Sequence, residues 1–262
     1  MSTMITSGSN AQIKRIRKLK KNARYRRQEG CFLAEGFKMT EEALQYGEVQ
    51  CIYVSENAEN EYEERLSHKI GERQTERVSA SVFHEITDTE TPQGVLSVVR
   101  MPEYDKKALV EDSDVSLVFL EDIQDPGNLG TIFRTAEGAG MTAIVLSGGC
   151  VDVFNPKVVR ATMGAIYRMP FYVASELPGE ISRLREKGVT IYAASLDASR
   201  EYTSCSYDGS VGIVIGNEAN GIRKDTQELV DERILIPMDG AVESLNAAVS
   251  AALLMYEIRR HR

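Results

Sequence analysis

VGIVIGNEANGI, residues 211 to 222, starts as a buried strand and becomes a loop with no apolar side chain larger than alanine until Ile222. Two glycines, two asparagines and Glu218 follow directly on a run rich in β-branched residues. Glycine suits a loop whose backbone a ligand must touch, and a carboxylate there is placed to bind or to do chemistry. A surface turn has the same composition, so the flanking sequence has to decide.

Working outward, strands and helices alternate. SLVFLED (116–122) reads as a buried strand and NLGTIFRTAEGAG (128–140) as a helix ended by glycine. TAIVLS, a helix over NPKVVRATMGAIYR (155–168), MPFYV, a helix near 177–187 and VTIYAAS precede the opening stretch. ERILIPM and a closing helix over SLNAAVSAALLMYEIRR (244–260) come after it. Such alternation predicts a mostly parallel sheet with helices on both faces, whose ligands sit beyond the carboxyl ends of the strands. Three loops fall there: DPGN, GNEANG and IPMDGAVESLN. Upstream, CFLAEGFKMTEEAL, QCIYVS, RVSASVFHEI and QGVLSVV form a smaller α/β unit, and the polar stretch 101–114 reads as a linker. The expected domains are therefore 1–105 and 115–262.

The chain has 262 residues, 42% of them hydrophobic, enough for one large or two small soluble domains. Its apolar stretches are too short for a membrane span, and MSTMITSGSN lacks a signal-peptide core. Cys31, Cys51, Cys150 and Cys205 are scattered, and with only His68, His84 and His261 beside them no metal site is expected. Unpaired cysteines fit a reducing cytoplasm. The net charge of −8 hides an asymmetry, because Lys14, Arg15, Arg17, Lys18, Lys20, Lys21, Arg24, Arg26 and Arg27 all precede the first acid, Glu29. These nine cations leave the remainder at −17 and predict a polyanionic partner. Ile13, Ile16, Leu19 and Ala23 lie near helical spacing, so one face can dock while the others hold cations.

Several chemistries are excluded. A dinucleotide site needs GxGxxG opening a helix, a P-loop needs GxxxxGK[ST], and a serine hydrolase needs a histidine, none of which occurs between His84 and His261. What remains is a mild set of backbone amides, Asn128, Arg134, Asn217, Glu218, Ser244 and Asn246. It suits recognition of a nucleoside and movement of a group activated elsewhere.

NLGTIFRTAEGAG, VIGNEANGI and IPMDGAVESLNAAVSAALLMYE resemble, in order and spacing, the three motifs of the SpoU/TrmH family of RNA ribose 2'-O-methyltransferases, within the SPOUT superfamily. The front region resembles the substrate-binding domain that precedes the catalytic domain in many members. The resemblance implies a deep trefoil knot, S-adenosylmethionine as donor, a homodimer packed through the knotted domain, and RNA, preferably ribosomal, as substrate. It implies donor contacts from Gly216, Ile236 and Leu245, with Ile215, Asn217 and Met238 adjacent and Leu196 closing the pocket. It implies catalytic roles for Asn128, Arg134, Glu218, Ser244 and Asn246. Arg134 suits a cation that grips a phosphate and favours the developing alkoxide, because free arginine stays protonated. A phosphate oxygen or Glu218 then takes the proton. Asn128 also reads as a helix N-cap, and Asp125 as turn chemistry. The alternatives are a catalytically silent RNA-binding or ribosome-assembly factor on the same fold, and a transfer RNA ribose methyltransferase.

Overall fold

The computed structural model describes residues 4–71, 74–110 and 114–262. The first three residues of the opening segment and 111–113 of the expected linker lie outside them. The chain forms two compact units, one comprising the sequence up to Glu103 with Asp152–Tyr167, the other Tyr104–Val151 with Arg168–Arg262.

In the front unit, β1 (Cys31–Glu35), β2 (Val49–Ser55), β3 (Gln74–Val78) and β4 (Val95–Arg100) lie in the order β1-β4-β2-β3. β4 runs antiparallel to both neighbours and β2 parallel to β3. The basic helix Ala11–Lys21 starts where the Asn10 side chain accepts from Gln12 N at 2.8 Å. Its Ile13, Ile16 and Leu19 are fully buried in a core with Leu33, Val98, Phe83 and Ile86. Asn22 then accepts from Tyr25 N and starts the helix Ala23–Glu29, which Gly30 ends in the left-handed region at φ 63°. The expected docking stripe therefore exists at Ile13, Ile16 and Leu19, while Ala23 opens the next helix and is half-buried, and the arm is no free cationic tail.

One of its cations is buried. Arg26 is 3% exposed, donates from Nη1 to Leu19 O at 2.7 Å, and pairs with Asp152, with Nε 3.0 Å from Oδ2. It is thereby withdrawn from the expected RNA-binding set. Arg15 pairs with Glu29, Arg17 with Glu85, and Lys20 donates to Thr87 O. Lys14, Lys18, Lys21, Arg24 and Arg27 stay exposed.

The helix expected over 155–168 is broken. A helix covers Pro156–Ala161, and Met163 (φ 50°) and Gly164 (φ 99°) then adopt left-handed backbone before a 3-10 turn at Ala165–Tyr167. Positive φ cannot continue a right-handed helix. The break turns Tyr167 back toward Phe32, 6.0 Å between ring centroids, while Phe154 lies 4.9 Å from the same ring.

The larger unit holds β5 (Ser116–Leu120), β6 (Ala143–Leu146), β7 (Phe171–Val173), β8 (Thr190–Ala194), β9 (Arg200–Glu201), β10 (Val211–Ile215) and β11 (Glu232–Leu235). Their order is β7-β6-β5-β10-β8-β11-β9, with every described pairing parallel. β5 and β10 are buried at every position, as strands covered on both faces must be. The direction of strand addition reverses between β5 and β10, the kind of place where ligands bind.

Two side-chain caps set where helices of this unit start. Asp125, not Asn128, caps the helix Pro126–Ala139, its Oδ1 accepting from Asn128 N at 2.7 Å. With Pro126 at the first helical position, the cap falls three residues earlier than the periodicity suggests. The closing helix begins at Ala247, because the Asn246 side chain accepts from Ala248 N at 2.9 Å and Val249 N at 3.3 Å. Ala247, Ala248, Ala251, Leu254, Met255 and Ile258 are buried, whereas Val249, Leu253 and Tyr256 stay exposed. The helix is thus not covered all round in the single chain.

The buried Arg26–Asp152 pair yields a stability test. Arg26→Ala leaves Asp152 and two carbonyls without their donor, and is expected to cost roughly 3–5 kcal/mol in urea denaturation. The exposed Arg27→Ala is expected to change stability by less than about 0.5 kcal/mol.

Candidate active site

The loop after β10 closes on itself. Asn217 N donates to Gly221 O at 3.0 Å and Gly221 N to Asn217 O at 2.9 Å. The Asn217 side-chain oxygen accepts from Ala219 N and Asn220 N, both at 3.0 Å, and its amide donates to Asp122 O at 2.7 Å. A methyl built on Gly216 would lie 2.3 Å from Gly221 C and 2.4 Å from Ile222 N. Glycine is therefore required here by the loop's own returning backbone, a reason additional to the ligand approach inferred from sequence. Gly221 makes the return with φ 67°.

Closure directs Glu218 at the start of the Pro126 helix. Its carboxylate accepts from Gln124 N and Asp125 N, each at 3.2 Å, and from Asn128 Nδ2 at 3.0 Å. Asn128 Oδ1 in turn accepts from Asn246 Nδ2 at 2.9 Å. Three residues from three distant motifs form one chain of side chains, which is possible because Asp125 has taken over the capping that Asn128 was expected to do. Burial pushes the Glu218 carboxyl up, but the Asn128 amide and the Gln124 and Asp125 backbone N–H groups outweigh it and hold the group below the ordinary carboxylate range. A carboxylate so occupied is a poor proton acceptor near neutral pH. The geometry holds it as a clamp between Asn128 and the backbone at 124 and 125.

A pocket of about 470 Å3 lies at the carboxyl ends of β8, β10 and β11. Leu196, Ile215, Gly216, Asn217, Ile236, Met238 and Leu245, the donor positions implied by resemblance, all line it, as do Glu218, Ser244 and Asn246. Asn128 and Arg134 do not. Asn128 reaches the pocket wall through Glu218 and Asn246. Arg134 sits six residues further along the helix, about 9 Å down its axis. It is exposed and makes no hydrogen bond or ion pair with another described residue.

Sequence reasoning missed Glu121, Asp122, Gln124 and Thr226, which tie the loop to the end of β5. Glu121 did carry a signal, an acid closing an otherwise apolar strand. Asp122 has the further mark of left-handed backbone at φ 55°, held by a Ser147 hydroxyl donating to Oδ1 at 2.6 Å.

Residues 116–256 match the SpoU rRNA Methylase family, and residues 10–97 match the MRM3-like substrate binding domain. The chain belongs to the SpoU rRNA methylase family. It is similar to the 23S rRNA (guanosine(2553)-2'-O)-methyltransferase RlmP of Bacillus subtilis (strain 168), at 35% identity over 97% of this chain and 98% of that one. Among solved structures it resembles an AdoMet-bound rRNA methyltransferase from Sinorhizobium meliloti, with TM-score 0.87, 28% identity, and 99% and 98% of the two chains covered. The SpoU methyltransferase AviRb from Streptomyces viridochromogenes, in complex with AdoMet, gives TM-score 0.85 at 25% identity over 96% and 97% of the chains.

The Glu218 clamp has a pH signature. Since its folded carboxyl titrates below the unfolded value, its contribution to stability is complete above the unfolded range and is lost as pH falls through the folded value. Glu218→Gln is expected to be less stable than the parent at neutral pH, with the gap closing as urea titrations are taken down through about pH 4. A gap independent of pH would show that the ionised clamp is not what stabilises the loop.

Proposed function

We propose that this chain methylates a ribose 2'-hydroxyl of RNA, most simply ribosomal RNA, using S-adenosylmethionine. The observation that carries the reading is the convergence of two motif loops on one pocket, with the third motif, the Arg134 helix, tied to its wall through Glu218, Asn128 and Asn246. The residues fit the donor. The pocket is of small-molecule size, offers backbone edges at Gly216, and presents Leu196, Ile236, Met238 and Leu245 to an apolar ring. Two relatives named as rRNA methyltransferases and one named as a SpoU methyltransferase, two of the three with AdoMet bound, support the same assignment.

The donor supplies a methyl group already activated on a sulfonium. The chain must therefore align the acceptor oxygen and ease loss of its proton. Arg134 carries an exposed guanidinium with no partner among the described residues, available to grip a phosphate beside the target ribose and to favour the developing alkoxide. Glu218 keeps Asn128 in place, so the proton leaves to a phosphate oxygen of the RNA or to solvent. Ser244 and Asn246 line the mouth where the ribose enters.

The reading includes a trefoil knot in the C-terminal part of the sheet, which the interleaved order β5-β10-β8-β11 accommodates. It includes a homodimer, supported by the exposed apolar stripe Val249, Leu253 and Tyr256 on the closing helix. Four free cysteines suit work in the cytoplasm.

Calorimetry with S-adenosylmethionine tests the reading, and donor binding is expected. Its absence would leave a silent RNA-binding factor on this fold. Arg134→Ala is expected to bind donor as the parent does while losing at least ~100-fold in methyl transfer, and Arg134→Lys to recover little, lacking the planar fork. For RNA, Lys14, Lys18, Lys21, Arg24 and Arg27 are changed together to Gln, which spares the buried stripe. The log–log salt slope is then expected to flatten by roughly 3.5 to 4.5, and filter binding across salt concentrations reads it directly.

A further inference from the structure

Glu121 follows β5 as a fully buried acid. Its backbone N–H donates to Ile215 O at 2.9 Å, at the last residue of β10. Its side chain does something different. Oε2 accepts from Arg223 N at 2.6 Å, Oε1 accepts from the fully buried Thr226 hydroxyl, and the Arg223 guanidinium pairs with the carboxylate, Nη2 3.2 Å from Oε1. One residue thus holds both ends of the loop Gly216–Ile222, the near end by its backbone and the far end by its carboxylate. Ile222 is itself pinned by Gln227 Nε2, which donates to its carbonyl at 2.8 Å.

Burying a carboxylate is costly unless every oxygen finds donors, and here both do. An apolar side chain would fill the same space without fixing the position of Arg223 N. What the pair Glu121–Thr226 determines is the distance across the loop, and that loop is the wall of the pocket formed by Gly216, Asn217, Gly221 and Ile222.

We propose that Glu121, acting with Thr226, is a positioning residue that presets the donor-binding loop, so that its loss weakens donor binding and leaves the methyl-transfer step intact. The proposal rests on the donor reading above, and its test separates the two. Glu121→Gln puts an amide N–H against one of its donors, and Thr226→Val removes one donor at nearly constant volume. Thr226→Ser keeps the hydroxyl.

Three readouts are taken on the full chain: S-adenosylmethionine affinity by calorimetry, kcat at saturating donor, and amide hydrogen exchange of residues 216–222 without donor. Glu121→Gln and Thr226→Val are expected to bind donor about tenfold more weakly, the scale of one charge-assisted hydrogen bond. Exchange in the loop should be faster, kcat should be unchanged, and Thr226→Ser should restore all three. Should Glu121→Gln fail to fold, the Val and Ser variants at 226 carry the test alone. Parental donor affinity and loop exchange in Thr226→Val would overturn the proposal, as would a fall in kcat at unchanged affinity. A parent protein that binds no S-adenosylmethionine would instead sink the donor reading, and loop exchange would still decide whether Glu121 and Thr226 preset the loop.

Discussion

The loop that follows β10 passes so close to its own return that position 216 has no room for even a methyl group. Much of the site depends on that contact. Because the loop closes within six residues, Asn217 can serve as both its internal cap and its tie to Asp122. Because Asn217 is held, Glu218 faces the chain at 124–128 instead of solvent. And because Glu218 takes one side of the Asn128 amide, the other side is available to Asn246, which itself starts the closing helix. A steric constraint at one glycine is transmitted as hydrogen bonds to two helix termini.

Charge is distributed over the site in a telling way. Glu218 is occupied, and the Arg134 cation has no partner among the described residues. Glu218 uses its oxygens on the protein's own donors, whereas Arg134 offers its guanidinium outward. A protein that works on a polyanion has more use for a free cation than for a free carboxylate, since the substrate brings its own oxygens. The front unit repeats the pattern, with Arg15, Arg17 and Arg26 internally paired and Lys14, Lys21, Arg24 and Arg27 exposed.

Much of this was legible in the residues. Apolar runs bounded by glycine and asparagine located the parallel strands, and two of the three expected loops line one pocket while the third is tied to its wall. What escaped was decided by contacts between distant positions. Asp125 and Asn128 can both cap a helix, and only the pull of Glu218, 90 residues away, shows why Asn128 is spared that task. Arg26 looks like its neighbours in a basic run, and its burial depends on Asp152, 126 residues on. Apolar periodicity through 155–168 is continuous, yet the backbone reverses at Met163 and Gly164, and Tyr167 beyond the break packs against Phe32. Local patterns report which face is apolar, not which apolar surface it will meet.

The front unit is not a contiguous stretch of polypeptide. Its β1 is packed by the helix Pro156–Ala161, which arrives only after two strands of the larger sheet have been laid down. A module of this kind cannot be exchanged by cutting the gene once. Any natural recombination or engineered fusion that joined a different front end near residue 103 would strand Phe154 and Tyr167 without the Phe32 ring they pack on. It would also leave Asp152 without Arg26. Ribosome-bound synthesis has the same consequence in time. The first hundred residues leave the tunnel with an unfilled apolar face, and their fold is completed only when some sixty more have followed. The two halves of this chain are thereby obliged to evolve, and to fold, as a single inheritance.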